Sequence, residues 1–209
     1  MENILFFSPF AEIIQSSLYQ WRAQCWEYDV FPSLGSLVIV ETAERIFFGL
    51  VYQIETGSTD PVRTPYPYKK TEAELKLEQP HIFQFLKTTF DCLPLGYKEK
   101  SNRGFFYQIP PEPPKIHSFI RYPAKELVKE FFSDSRYLHV LFGLSKSVYN
   151  LDELLLAMLK KQSEVEPLTE EQLLHFVQTF SLLTGNDYRH LKLFLQRASQ
   201  HIASDKITF

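Results

Sequence analysis

The sequence predicts an α+β protein, an N-terminal small β-barrel with a helical insertion followed by a C-terminal helical bundle. Three observations carry this. Residues 8–57 hold short β-branched and aromatic runs separated by Gly/Pro turns, the pattern of a small closed barrel. From Pro123 onward, apolar positions recur at three- and four-residue spacing behind capping residues, the pattern of packed helices. Between the two, Gln108-Ile-Pro-Pro-Glu-Pro-Pro-Lys115 places four prolines in eight residues. Proline fixes φ and donates no N–H, so neither a helix nor a central strand runs through this segment. The expected division is a barrel unit over residues 1–114, with inserted helices at about 58–90, and a mainly helical unit over residues 115–209.

The barrel elements follow in order. Ala11-Glu-Ile-Ile-Gln-Ser-Ser17 is β-branched and ends in small polar residues. Tyr19 to Tyr28 alternates loosely, with Trp21, Ala23, Cys25 and Trp26 as its apolar set. Phe31-Pro-Ser-Leu-Gly35 is a turn signal. Ser36-Leu-Val-Ile-Val-Glu41 is the short continuous apolar run of a well-buried strand. Thr42 to Arg45 makes a tight connection into the strand Arg45–Ile54, where Gly49 marks a bulge or a close backbone approach. Thr71 with Glu74 forms a capping box that opens a helix. Pro80 suits the first position of a second short helix, whose apolar positions are Ile82, Phe83, Phe85 and Leu86. Residues 92–97 and 104–109 read as a returning strand pair joined by the polar loop Lys98 to Arg103.

After the prolines, Ile116-His-Ser-Phe-Ile-Arg121 adds one last strand and five helices follow. The first runs from Pro123 to about Phe132 and the second from Ser135 to Leu144. The third is capped by Asn150 or Asp152 and presents Leu151, Leu154, Leu155, Met158 and Leu159. The fourth has Thr169 as N-cap, Gln172 completing a capping box, and Leu168 with Leu173 as a hydrophobic staple. Its stripe is Leu173, Phe176, Val177, Phe180 and Leu183. Gly185-Asn-Asp187 ends it and starts a fifth helix with Leu191, Leu193, Phe194, Leu195 and Ile202.

Ala11 to Ser17, Pro32-Ser-Leu-Gly-Ser-Leu-Val-Ile-Val40 and Phe48-Gly-Leu-Val-Tyr-Gln-Ile54 together resemble the HAS barrel, the small barrel that opens HerA-type DNA-translocating ATPases and ATP synthase subunits. The resemblance covers roughly residues 8–120. The chain also looks like stand-alone cyanobacterial-type HAS-barrel proteins, through Asp60-Pro-Val-Arg-Thr-Pro65 and Glu78-Gln-Pro80. The resemblance implies a docking or assembly element. HerA-type proteins continue into a P-loop ATPase core, which needs G-x-x-x-x-G-K-[ST]. Here Gly143-Leu-Ser-Lys-Ser147 lacks the second glycine and reads as a helix end, so no ATPase activity is expected.

Composition narrows the function classes. Hydrophobic residues make up 44% of the 209 residues, and 19 Phe and 11 Tyr point to cores built from rings. The net charge is -3. Residues 1–114 carry 10 Lys+Arg against 14 Asp+Glu, giving -4, and residues 115–209 carry 12 against 11, giving +1. Neither half is the basic domain a nucleic-acid binder usually shows. Two cysteines, Cys25 and Cys92, are too few for a secreted disulfide scaffold. The opening residues lack a secretory pattern and no run of about 18 apolar residues occurs, so a cytoplasmic location without a membrane span is expected.

The chemistry-bearing residues are scattered. His81, His117, His139, His175, His190 and His201 form no H-x-x-x-H pair, and neither cysteine has a C-x-x-C partner. Asp152-Glu153 and Glu170-Glu171 sit in first helical turns, where they complement the helix dipole. No catalytic, cofactor-binding or metal-ligating residue is assigned. Two basic-aromatic runs remain as candidate contacts to a partner or nucleic acid: Arg63, Tyr66, Tyr68, Lys69 and Lys70 in the insertion, and Lys98, Lys100 and Arg103 in the later loop. The function expected is a non-catalytic interaction or assembly module of a cytoplasmic complex that binds a protein partner. The alternative is a nucleic-acid-associated factor related to HerA-type DNA processing.

Overall fold

A computed structural model of the chain describes residues 8–60, 62, 64–102 and 104–200. Its strands are β1 (Ala11–Ser16), β2 (Trp21–Cys25), β3 (Leu37–Glu41), β4 (Arg45–Ser58), β5 (Leu86–Glu99), β6 (Phe105–Phe106) and β7 (Phe119–Arg121). Six of them close an antiparallel barrel in the order β1-β7-β3-β4-β5-β2, with β2 pairing back onto β1. The short β6 attaches to β5 at Tyr97 and Lys98.

Alternation along each strand sends one set of side chains inward. Ala11 and Ile13, Trp21, Ala23 and Cys25, Val38 and Val40, Phe47 and Val51, Phe90 and Cys92, and Ile120 form one buried cluster inside the barrel. Trp21 is the largest of these, and its indole lies directly over Gly49, where a Cβ would collide with it. The glycine predicted to mark a close approach is therefore the space into which the barrel's plug fits. The pairing of β4 with β5 shifts register between Phe48 and Gly49 and again between Val51 and Gln53, so this stretch is bulged as well.

The opposite faces of β3, β4 and β5 are covered by helices. Leu37, Ile39, Phe48, Leu50, Leu93 and Leu95 join one continuous core with residues of the helical half. This is why Leu37 to Val40 is apolar at every position: each face of β3 is buried. The covering helices are α2 (Lys125–Phe132), α3 (Tyr137–Gly143), α4 (Leu151–Val165), α5 (Glu170–Leu183) and α6 (Tyr188–Ala198). Phe131 is the hub. Its ring stacks on Phe48 at 4.5 Å and meets Phe105, Tyr107, Phe132 and Tyr137. The Tyr107 hydroxyl donates to the Phe131 carbonyl at 2.6 Å, satisfying an orphan acceptor at the end of α2. A second ring cluster of Phe142, Phe176, Phe180 and Phe194 holds α3, α5 and α6 together.

Capping chemistry sets the helix starts. Thr71 with Glu74 caps α1 (Glu72–Glu78), and Thr169 with Gln172 caps α5, each as a full capping box. Of the two candidates for α4, Asn150 is the cap, its side chain accepting from the Glu153 N–H. The segment after Pro80 is a 3-10 turn over Pro80–Phe85.

Several expectations change. The barrel's strand β7 lies beyond the prolines and sits between β1 and β3, so the 114/115 boundary falls within the strands that build the sheet. The proline segment straps the barrel: the Ser16 hydroxyl donates to the Pro114 carbonyl at 2.5 Å and Arg45 pairs with Glu112. The returning pair is unequal, since β5 starts at Leu86 and β6 has only two residues. The insertion accordingly lies between Ser58 and Leu86 and is shorter than 58–90. Trp26, Phe85 and Leu193, counted among the apolar positions of their elements, are exposed. Ile202 and His201 lie outside the described residues.

The loop before β3 comes close to α4 at Gly35. Its φ is +75°, and a Cβ there would stand 2.5 Å from the Met158 backbone nitrogen of α4. Gly35→Ala is expected to cost roughly 3 kcal/mol, combining the left-handed backbone with a collision against a helix. Gly57→Ala, with open space around it, should stay within about 0.5 kcal/mol. Denaturant unfolding of both variants checks this, and equal midpoints would refute the close approach.

Candidate functional site

Among the described residues, none of β7, β1 or β2 joins the core that the helices share with β3, β4 and β5. Ala11, Ile13, Cys25 and Ile120 point inward there, so the intervening residues point out. Phe119 and Trp26 are each 54% exposed, and their rings meet edge to face at 5.4 Å. Ile14, released outward by a bulge between Ile13 and Gln15, adds a third exposed apolar side chain. Glu12 and His117 flank the wall and hydrogen-bond at 2.5 Å.

The two basic-aromatic runs are placed apart. The insertion is anchored near one end of the β4–β5 hairpin: Thr88 donates to the Tyr28 carbonyl, the Tyr28 hydroxyl donates to Glu72 at 3.1 Å, and Tyr28 stacks on Phe83. Lys98 and Lys100 lie roughly 30 Å further along, at the far end of β5. The runs therefore do not form one groove. Tyr66 is 73% exposed and meets Tyr68 at 5.5 Å, beside exposed Lys69 with its φ of 57°. Lys70 pairs with Glu78. Lys100 pairs with Glu41 at 2.8 Å, while Lys98 sits over the Phe105 ring and reaches Glu130 at 3.5 Å. Three of the candidate cations thus already carry a carboxylate partner. Arg63 and Arg103 lie outside the described residues.

The most buried charge among the described residues is Asp91, whose side chain is 3% exposed. Arg22 meets it in a bidentate pair at 2.8 and 2.7 Å, with Glu55 at 3.9 Å. The Asp91 hydrogen bond raises the proton affinity of Arg22 further, so this guanidinium is permanently charged. These residues join β2 to β4 and β5 from outside the barrel, and the fork geometry accounts for them as a clamp. Glu41 is held below its usual range by the Lys100 ammonium first and by Arg121 as well. That network ties β3 to β7 and to the turn after β5.

Sequence spacing gave no sign of one further pair. His190 Nε2 stands 2.8 Å from Asp152 Oδ2, linking the starts of α6 and α4. Residues so far apart in sequence meet only through helix packing. Among the described residues no group of three His, Cys, Asp or Glu side chains is placed to hold a metal ion.

Nucleophile chemistry is unfavourable at the thiols. Burial pushes Cys25 up to about 12 and Cys92 well above the ordinary thiol range. A cleft of about 310 Å³, counting its open mouth, runs between α5 and the ends of α2 and α4. It is lined by Phe132, Tyr137, Gln162, Leu168 and His175 among others. Its two serines are engaged elsewhere: Ser133 donates to the Glu130 carbonyl and Ser135 pairs with Thr179, each at 2.8 Å. No carboxylate lines the cleft. No helix among the described residues is long and apolar enough to cross a membrane.

No model of a known protein family matches the chain, and no curated protein matches it.

Two outcomes follow from the electrostatics. A thiol reagent should label neither of the two cysteines in native buffer and both after unfolding, because the reactive thiolate is suppressed and shielded; rapid native labelling would contradict the barrel interior. Glu41 has a lowered folded-state pKa, so its contribution to stability is present above the ordinary glutamate value of about 4.3 and is lost as pH falls through the lower folded-state value. Glu41→Gln should therefore unfold with a shallower pH dependence between about pH 5 and pH 3 than the parent chain. Superimposable acid-unfolding profiles would remove Glu41 from the account.

Proposed function

We propose that the chain works as a non-catalytic interaction or assembly module, with the β7–β1–β2 wall of its barrel as the surface that meets a protein partner. The observation that carries this reading is the exposed Trp26–Phe119 pair. Large aromatics are the side chains that most often anchor protein interfaces, and two in contact, with Ile14 exposed on the same wall, form a compact anchor. The rest of the barrel's outer surface does not compete for this role, because helices bury the β3–β4–β5 side. The resemblance of residues 8–120 to the HAS barrel supports the same reading, since such barrels serve as docking elements. The partner and a cytoplasmic setting belong to this proposal.

Nucleic-acid association is the second reading, and the exposed Tyr66–Tyr68 pair beside Lys69 favours it. Stacking rings next to a cation that has no ion-pair partner among the described residues suit single-stranded nucleic acid. The carboxylates on Lys70 and Lys100 work against it by occupying the charges phosphate would need.

The test is capture of partners from the native cell by tagged protein, with and without nuclease, comparing the parent chain with Trp26→Ala/Phe119→Ala. A stoichiometric protein that survives nuclease and falls at least about tenfold in the double variant, with unchanged melting, supports the barrel wall as anchor. Capture that disappears with nuclease, together with steeply salt-sensitive oligonucleotide binding, would replace this reading with the second.

A further inference from the structure

The cleft between α2, α4 and α5 holds a polar group that the rest of the fold leaves unanswered. Gln162, in the last turn of α4, lines the cleft and is only 7% exposed. Its Nε2 is buried and makes no hydrogen bond among the described residues. Tyr137 lies beside it. Burial pushes the Tyr137 phenol up and the neighbouring Gln162 amide pulls the other way, yet the geometry of a hydrogen bond from Nε2 is missing. Buried donors are almost always paired, because an unpaired one has lost its bonds to water and gained none. The cleft is where the missing acceptor can enter.

The lining sets the chemistry of the molecule that carries that acceptor. Phe132, Leu159, Leu168 and Phe176 form apolar sides, so the body of the molecule is apolar. Charge is set by the helix ends. Phe132 is the last residue of α2, and Gln162 is four residues from the last of α4, so two helix C-termini border the cleft with their partial negative charge. The N-terminal end of α5 carries Glu170 and Glu171 in its first turn. These features disfavour an anion. A cation finds no carboxylate in the lining.

We propose that this cleft binds a small neutral carbonyl compound with a short apolar body, its oxygen accepting a hydrogen bond from Gln162 Nε2. At about 310 Å³ with its open mouth included, the cleft stands at the lower end of the range for small-molecule sites, which limits the body to a few carbons. The site belongs to the helical half and shares no residue with the Trp26–Phe119 pair, so this proposal and the barrel-wall proposal can fail independently.

The test titrates the full ¹⁵N-labelled chain with isobutyramide up to about 20 mM, since a probe of so few atoms is expected to bind with a Kd of about 1 mM. The side-chain amide signal of Gln162, assigned by its loss in Gln162→Met, should shift and saturate, together with the backbone signal of His175 in the lining. Isobutyrate should bind at least about tenfold more weakly, because the helix ends oppose its charge. Gln162→Met keeps the length of the side chain and removes the donor; it should weaken isobutyramide binding by at least about tenfold without lowering the melting temperature. No saturable shift in the parent chain, or equal affinity in Gln162→Met, overturns the proposal. So does a lower melting temperature of Gln162→Met, which would show the donor already satisfied inside the protein. An ordered water only, seen as a water contact to the Gln162 amide that persists at 20 mM isobutyramide, overturns it as well. Isobutyrate binding as tightly as isobutyramide would overturn the assignment to a neutral ligand.

Discussion

The structure depends on burying β3, β4 and β5 from both sides at once. On one side Trp21 fills the barrel against Gly49 and Cys92; on the other Phe131 stacks on Phe48 and gathers the rings of the helical half. Neither half supplies this alone. A small barrel has a thin interior, and five helices of ordinary length need a surface to pack on. The shared wall meets both needs, with Gly35 letting α4 approach the backbone. A fully buried Phe, Leu or Ile contributes about 1.5–3 kcal/mol by removal from water. Phe48, Leu50, Leu93, Leu95 and Phe131 are all essentially inaccessible, so this layer is a major source of the stability of the whole chain.

That wall explains the place of the prolines. Four prolines in eight residues break secondary structure, but a break in secondary structure is not a break in the fold. The segment carries the chain from β6 to β7 and is fastened to the barrel through Ser16 and Glu112 on the way. Pro110 and Pro114 are buried. Proline suits such a strap because its fixed φ lowers the entropy lost on ordering, and its missing N–H leaves no donor to satisfy where no strand pairs.

Local signals were legible in the sequence and tertiary ones were not. Capping boxes at Thr71 and Thr169 could be read because side chain and partner lie three residues apart. The β3 run and the Gly49 approach could be read because an all-apolar strand and a glycine inside a strand each have few physical causes. The length of β5 could not be read: Leu86-Lys-Thr-Thr89 is only partly apolar and follows a proline turn, and it is drawn into the sheet by pairing with Glu55–Ser58. Trp26 looked like core because tryptophan usually is, yet it falls one residue past β2, beyond the last inward position Cys25. The contacts of Lys70, Lys98 and Lys100 with carboxylates depend on packing and left no trace in the linear pattern.

The division of surfaces constrains how this chain can act. The barrel interior is packed with side chains, Trp21 foremost, and burial holds its two thiols in their unreactive protonated form. The bidentate pair of Arg22 with Asp91 joins β2 to β5, with Glu55 of β4 beside it. Among the exposed apolar side chains, Trp26 and Phe119 pair on the barrel, while Leu174 and Leu182 stand on α5. Exposed side chains of this size raise the free energy of the isolated chain in water, and that cost is recovered only when a surface covers them. The two sets lie on different halves of the molecule, one aromatic and one aliphatic. An assembly element that held a partner through the Trp26–Phe119 pair would leave the helical half outside that contact.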